Sequence, residues 1–318
     1  MDRPIEQLFS PPELSVTDVT GKLPSWCSYQ MPYAKAERRV IKEGTIVSQY
    51  HSHVLFFIEV MEINLHRELE ASYVISNPSL FLFMVLGGEV TFYTSNGQSI
   101  ANAPEAVCYA TYNKTGRYVY KLSAGIHRFC YLCPMPSWLN SNIKRYPRLE
   151  PFLEEMKSSE KLFGHLPPCR MNNQLWKSLL KLLEREGTKG EDLESMQSTD
   201  AKELIDAYQS MLDIKYAHRA YHIRNYLEEN YADPMLSNPA LAGIFNTTEK
   251  TLIETFREEF NTTPHNFLIK LRMDHARTLL ETGTLAPQGV CSLVGYRDFR
   301  SFGLQFKKYF GFPPSHYR

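Results

Sequence analysis

Phe256 and Phe306 stand 50 residues apart, and the same local pattern surrounds each of them. In the first copy, Ser237 or Asn238 can cap a short helix over 239–245, and Asn246 tolerates the left-handed conformation of a tight turn. Thr247 then caps a longer helix, about 248–260, that buries Leu252 and Phe256 at i and i+4. In the second copy a short helix over 288–294 meets a Gly295-Tyr296 turn, and Asp298 caps a helix running to 310 that buries Phe302 and Phe306. Between the copies, Thr263 and Pro264 open a helix whose buried stripe is Ile269, Met273, Ala276 and Leu280, with Gly283 ending it. Short helix, tight turn and longer helix, twice over, predict two helix-turn-helix units on one connecting helix.

The rest of the chain differs in kind. From about 45 to 133, β-branched and aromatic residues dominate. Turn signals recur at Gly87-Gly88, Asn96-Gly97, Thr115-Gly116 and Ala124-Gly125, which predicts short antiparallel strands in a meander, folded into a sandwich or small barrel. Beyond Trp138, Leu175, Leu179, Leu182 and Leu183 mark one helix face. The polar run over 184–199 reads as a loop or hinge before a helix carrying Leu204, Tyr208, Met211 and Leu212. These helices either cover the β domain or form a dimer seam. The expected fold class is α+β: a β sandwich or barrel with an N-terminal extension over 1–137, a helical connector over 138–214, and an all-α domain over 215–318.

Composition narrows the function. The chain has 318 residues, and Lys plus Arg equals Asp plus Glu at 35 each, so any affinity for a polyanion must come from local charge. No apolar stretch approaches the ~20 residues that span a bilayer. The first residues carry acids and prolines where a signal peptide needs a basic and then an apolar segment, so the expected location is the cytoplasm, with no membrane partner. Six cysteines in so long a chain fit a reducing compartment better than a disulfide framework.

The C-terminal segment resembles the DNA-binding domain of the AraC/XylS family of bacterial transcriptional regulators. The resemblance covers about the last hundred residues. It is carried by Leu241-Ala242, Leu252, Phe256, Leu271-Arg272, Ala276, Leu279-Leu280, Val294-Gly295-Tyr296, Phe302, Phe306-Lys307-Lys308, Phe310-Gly311, Pro314, Tyr317 and Arg318. It implies two recognition helices that enter successive major grooves about 34 Å apart. By position it nominates Lys250, Thr251, Ile253 and Glu254, then Phe299, Arg300, Gly303 and Leu304, as base readers. Arg300 suits guanine, Glu254 a cytosine amino group and Phe299 a thymine methyl. Arg257, Arg297, Lys307 and Lys308 suit phosphates, whereas Asp298 reads more simply as a helix cap and Arg318 as the partner of an acid. Positions 254 and 304, often Arg in the family, are Glu and Leu here. The first recognition helix sets Glu249, Glu254, Glu258 and Glu259 against Lys250 and Arg257, so phosphate anchoring is expected in the second unit.

The β region looks like the cupin-type domains that many such regulators carry, by architecture alone. Metal cupins show a glycine, a His-x-His pair and a Glu, for which Gly44, His51, His53 and Glu59 are candidates, with His127 as a late fourth ligand. The favoured reading is that His51 and His53 are ordinary strand residues with local hydrogen bonds, and no cofactor is expected. Cys130 and Cys133 would point to opposite strand faces, against a zinc or redox pair. Tyr93, Tyr109, Tyr112, Tyr118, Tyr120 and Tyr131 could line an effector pocket or simply form core and edge. The function expected is sequence-specific transcription regulation, not catalysis. Its partners would be double-stranded DNA and a small-molecule effector in the β domain, with RNA polymerase and a second copy of the chain as further candidates. The alternatives are a metal-dependent cupin enzyme and a regulator switched by a protein partner.

Overall fold

A computed structural model describes residues 3–186, 191–282 and 285–317. The chain divides into two compact units, 1–213 and 214–318.

In the first unit the strands are β1 (Ile5–Leu8), β2 (Ser15–Asp18), β3 (Lys35–Ile41), β4 (Gly44–Ser52), β5 (Phe56–Leu65), β6 (Leu69–Ile75) and β7 (Ser79–Gly87). There follow β8 (Val90–Thr94), β9 (Ser99–Ala103), β10 (Val107–Asn113), β11 (Gly116–Leu122) and β12 (Gly125–Pro134). Two short strands, β13 (Phe163–His165) and β14 (Cys169–Arg170), come later and both pair with β10. All pairings are antiparallel, in a five-stranded sheet ordered β1-β6-β11-β8-β9 and a nine-stranded one ordered β13-β10-β7-β12-β5-β4-β3-β2, with β14 beside β10.

This order corrects the expected meander. Of the four turn signals, only Asn96-Gly97 closes a hairpin, between β8 and β9. At Gly87-Gly88, Thr115-Gly116 and Ala124-Gly125 the chain instead crosses to the opposite sheet, giving a jelly-roll sandwich. A turn residue fixes that the chain reverses; which strand the next segment pairs with depends on partners far away in sequence.

Burial explains the strand patterns. β6 reads LEASYVI and alternates buried with more exposed positions, because only one of its faces meets the core. β7 reads SLFLFMVLG and is buried throughout, because the nine-stranded sheet is covered on both sides. Its outer cover comes from α1 (Pro136–Asn142), α2 (Glu150–Ser158), α3 (Asn173–Leu183) and α4 (Glu191–Ala217). Leu175, Leu179, Leu182 and Leu183 are buried on α3, and Leu204, Tyr208, Met211 and Leu212 on α4. The Ala110 amide donates to the Tyr208 hydroxyl at 2.8 Å, and the Tyr33 hydroxyl donates to the Leu182 carbonyl at 2.7 Å.

The loop expected over 184–199 is in part helix, since α4 starts at Glu191. Its inward face there includes a charge: Asp200 is 1% exposed and takes both arms of Arg185 at 2.7 Å each. An apolar periodicity search passes over such a face. Gly187 and Gly190 lie outside the described residues. No helix among those described is long and apolar enough to cross a membrane.

The second unit contains α5 (Arg219–Asn230), α6 (Asn238–Ile244), α7 (Glu249–Phe260), α8 (Pro264–Glu281), α9 (Pro287–Leu293) and α10 (Phe299–Phe310), then a 3-10 turn over Pro314–Tyr317. Two hydrophobic cores form. Leu227, Leu241, Leu252 and Phe256 gather around Leu268. Val290, Val294, Phe302 and Phe306 gather around Met273, Ala276 and Leu280, with Ile269 half-buried at the edge. Both cores therefore use α8, whose 18 residues extend about 27 Å. Thr263 caps it and Pro264 occupies its first turn, as expected. Gly283, expected to end it, lies outside the described residues.

A polar clamp joins the two halves of this unit. Arg272 on α8 donates from Nε to the Tyr231 carbonyl at 2.8 Å and from Nη2 to the Asp233 carbonyl at 2.7 Å, with its guanidinium 5.5 Å from the centre of the Tyr296 ring. His275 stacks on Tyr231 at 4.1 Å. Gly295 holds φ at +80°, and a Cβ there would stand 2.8 Å from the Tyr231 carbonyl oxygen. The Gly295→Ala variant combines left-handed strain of about 1–3 kcal/mol with that overlap. It should lower the urea midpoint of the helical transition followed by far-UV circular dichroism; an unchanged midpoint would contradict the clamp.

Candidate nucleic-acid interface and the cavity of the β domain

The two helix-turn-helix units correspond position by position. Before the turns the offset is 49: Leu241 and Ala242 match Val290 and Cys291, all buried. The Thr247 amide donates to the Ala242 carbonyl at 3.0 Å, just as that of Tyr296 donates to Cys291 at 3.1 Å. After the turns the offset is 50. Thr248 and Asp298 are the caps, accepting from the amides of Thr251 at 3.2 Å and Ser301 at 2.7 Å. Leu252 and Phe256 match Phe302 and Phe306, and left-handed Asn261 and Gly311 end the two helices. The second turn therefore holds one extra residue, Arg297. The cap expected at Thr247 falls on Thr248, because the Thr247 amide is used in closing the turn.

The nominated side chains lie away from the two cores. On α7, Lys250, Thr251, Glu254 and Arg257 are exposed and Ile253 is half-buried; on α10, Arg300, Leu304, Lys307 and Lys308 are exposed and Gly303 is half-buried. Phe299 is 41% and Leu304 65% exposed, large values for apolar side chains in a unit with two complete cores. Exposed Arg297 reaches the Met235 sulfur.

Charge divides unevenly between the two helices. Glu259 turns inward, taking Lys215 at 2.7 Å and the Tyr221 hydroxyl at 2.9 Å. Glu249, Glu254 and Glu258 remain outward on α7. Lys250 stands 4.0 Å from Glu254, an exposed pair of small energetic consequence. Lys307 and Lys308 have no acid within ion-pair distance among the described residues. Asp298 serves as the expected cap, and the Ser301 amide that it accepts holds its carboxyl below the usual range. Arg318 lies outside the described residues.

Sequence reasoning singled out neither Tyr231 nor the clamp role of Arg272. Arg272 acts on carbonyls about 40 positions away, which helix periodicity cannot signal. It also passed over Ile244 and Leu293, matched at offset 49 and 47% and 50% exposed at the ends of α6 and α9. The 49-residue offset itself could have paired them.

A helix-turn-helix domain family model matches residues 241–318, the segment that contains both units. This segment is therefore similar to the helix-turn-helix domains of known transcriptional regulators. The raffinose operon transcriptional regulatory protein RafR of Pediococcus pentosaceus is 35% identical over 94 residues, 30% of this chain and 34% of that protein. The Msm operon regulatory protein of Streptococcus mutans is 27% identical over 96 residues, again 30% and 34%. The chain thus spans about a third of the length of these relatives. A solved transcriptional regulator from Chromobacterium violaceum, described as AraC-type, is 21% identical over 30% of this chain and 85% of its own, with a TM-score of 0.27.

The candidate metal ligands of the β domain are not brought together. The chain reverses between β4 and β5, so Tyr50 pairs with Glu59 while His51 pairs with Ile58. This places His51 and Glu59 on opposite faces, where an unbroken strand would have put them on one. Glu59 accepts from the Tyr131 hydroxyl at 2.5 Å and from Arg3 at 2.8 Å. His53 lies 3.0 Å through Nε2 from the Glu194 carbonyl, and His127 lies 2.9 Å from the Ser123 carbonyl. Burial lowers the pKa of His51 and His53. No group of three or more His, Cys, Asp or Glu residues suited to a metal occurs among the described residues. Gly44 has a packing reason instead: a Cβ there would overlap the Asn64 carbonyl of β5. Cys130 and Cys133 pair with neighbours of opposite parity, and burial raises the pKa of both thiols, that of Cys133 to about 12.

Between the two sheets lies a cavity of about 70 Å³, counting only space open to the centre of a water molecule; one water needs about 10–15 Å³ by that measure. Of the six nominated tyrosines, Tyr109, Tyr120 and Tyr131 line it, joined by Tyr73. Tyr118 belongs to the surrounding core, Tyr112 packs outward on Phe152 at 5.1 Å, and Tyr93 lies under Lys121.

The two caps differ in a way that pH exposes. Because the Asp298 carboxyl titrates below its ordinary value, its contribution is present at neutral pH and lost as pH falls through its folded-state pKa. Asp298→Ala should therefore destabilise the helical domain near neutrality and cost progressively less in acid. Thr248→Ala should cost about 1 kcal/mol at both. Parallel urea titrations at neutral and acid pH measure this; an Asp298→Ala cost that does not change with pH would refute the ionised cap.

Proposed function

We propose that this protein is a sequence-specific transcription regulator that places α7 and α10 in the major groove of DNA. The supporting observation is the register of the two units: equivalent positions turn inward to make two cores on one helix, and equivalent positions turn outward. The base-contacting positions are Lys250, Thr251, Ile253 and Glu254 on α7, and Phe299, Arg300, Gly303 and Leu304 on α10. Arg300 reads guanine, Glu254 accepts from cytosine, and Phe299 meets a thymine methyl. Gly303 lets the helix backbone approach the groove. Arg257, Arg297, Lys307 and Lys308 hold phosphates. Three outward glutamates on α7 oppose DNA, whereas the last turn of α10 presents two unopposed lysines, so the second unit carries most of the affinity.

The β domain receives an effector in the cavity between its sheets. An effector that binds one arrangement of the chain more tightly shifts the population toward it, which alters presentation of the paired helices to DNA or RNA polymerase, within a monomer or a dimer. Such a protein works in the cytoplasm, where its operators are.

The affinity claim is tested on an operator selected from random-sequence DNA, with binding followed by fluorescence anisotropy. Arg300→Ala should lose about 1–3 kcal/mol and relax the sequence preference at one position. Lys250→Ala should lose less. Lys307→Ala should weaken all sequences alike and reduce the salt dependence by about one counterion. A loss at Lys250 equal to or greater than that at Arg300 would reject dominance by the second unit.

A further inference from the structure

The cavity of the β domain carries a statement about what fills it, resting on the effector reading above. We infer that its ligand is an uncharged, largely apolar small molecule, of about one ring in size, bearing one or two hydroxyl or carbonyl groups. No Asp, Glu, Lys, Arg or His is among its lining residues. The wall is built from aromatic and aliphatic side chains of both sheets, such as Phe83, Phe92, Phe129 and Ile100. A charged ligand would be stripped of water there with nothing of opposite sign to meet it. A sugar would bring a ring of hydroxyls to a wall that can satisfy few of them.

Three of the polar atoms on the lining have no partner within the chain. Asn113 and Tyr120 line the cavity and are 5% and 7% exposed, yet Asn113 Nδ2 and the Tyr120 hydroxyl lack a hydrogen-bond partner within the chain. Gln7 Oε1, on the same lining, is likewise unpartnered. Buried polar atoms are almost always paired in folded proteins, and three orphans around one cavity mark the places where a bound molecule supplies the partners. By contrast, the Tyr131 hydroxyl is occupied by Glu59 and the Thr111 hydroxyl by the Gly164 carbonyl. The site therefore offers two unpartnered donors and one unpartnered acceptor on a wall that is otherwise aromatic and aliphatic apart from the hydroxyls of Tyr73, Tyr109, Tyr131 and Thr111, a pattern that fits a phenol, an aryl ketone or a similar neutral ring compound.

The test uses the full chain, with p-cresol, indole and acetophenone as neutral probes, benzoate as a charged ring, and glucose and raffinose as sugars. Binding is read by calorimetry and by thermal shift. The neutral rings should bind saturably at one site, with benzoate and the sugars at least tenfold weaker. Tyr120→Phe and Asn113→Leu remove orphaned atoms, so the free variants should keep or gain thermal stability while binding the best oxygen-bearing probe about 5–30-fold more weakly. Ala101→Phe, which fills the cavity from β9, should abolish binding in a chain that still melts cooperatively. Saturable binding of benzoate or a sugar that these variants weaken would overturn the ligand class and leave the effector reading standing. Binding of the neutral rings that survives all three variants would overturn the site. If no probe binds and a metabolite library produces no thermal shift dependent on Ala101, the class and the effector reading fall together.

Discussion

One helix holds the C-terminal unit of this protein together. α8 gives Leu268 to one core and Met273, Ala276 and Leu280 to the other, so neither helix-turn-helix unit can complete its interior without it. Arg272 then locks the helix sideways onto the turn that follows α5, where it meets the Tyr231 and Asp233 carbonyls. The same stretch abuts Gly295 in the second turn. A segment before the first unit thereby fixes a turn in the second, and relative placement of α7 and α10 becomes a property of packing as well as of connection.

The outward faces inherit this arrangement. With Leu252, Phe256, Phe302 and Phe306 fully buried, the rotation of α7 and α10 about their own axes is fixed, and with it which side chains face away. The two faces are not chemically alike. α7 presents three acids against Arg257 and a lysine already close to one of them, while α10 presents Phe299, Arg300, Leu304 and two lysines with no acid at ion-pair distance among the described residues. On the function proposed above, a repeated scaffold carrying two different surfaces would read an asymmetric sequence, with an anchor at one end and a discriminating contact at the other.

How much of this was legible depended on the range of the interactions. Caps at Ser237, Thr263 and Asp298, the left-handed Asn246 and the anchors at i and i+4 are events within one or two helical turns, and the order of residues displays them. The cap at Thr248 was displaced by one residue because turn closure and capping compete for neighbouring threonines. The sandwich was visible as alternating and continuous apolar runs, but not its jelly-roll order, since turn glycines carry no record of which sheet comes next. His51, His53 and Glu59 misled for a related reason: a reversal hidden between His53 and Phe56 changed the parity on which their common face relied. The helical start of α4 was masked by an inward-facing aspartate that finds its arginine on the segment after α3.

By itself, the amino-acid order determined where helices start and stop, which positions must be buried, and that a doubled helix-turn-helix stands at the end of the chain, because capping, turn preference and amphipathic period all act over a few residues. Tertiary structure alone decided the interleaving of the two sheets, the clamp around Arg272, the withdrawal of Glu259 from the outer face of α7, and the cavity with its unpartnered Asn113 Nδ2 and Tyr120 hydroxyl. Each of these joins groups tens of residues apart, and whether a polar atom is satisfied or a charge neutralised is a question of what stands opposite it in space.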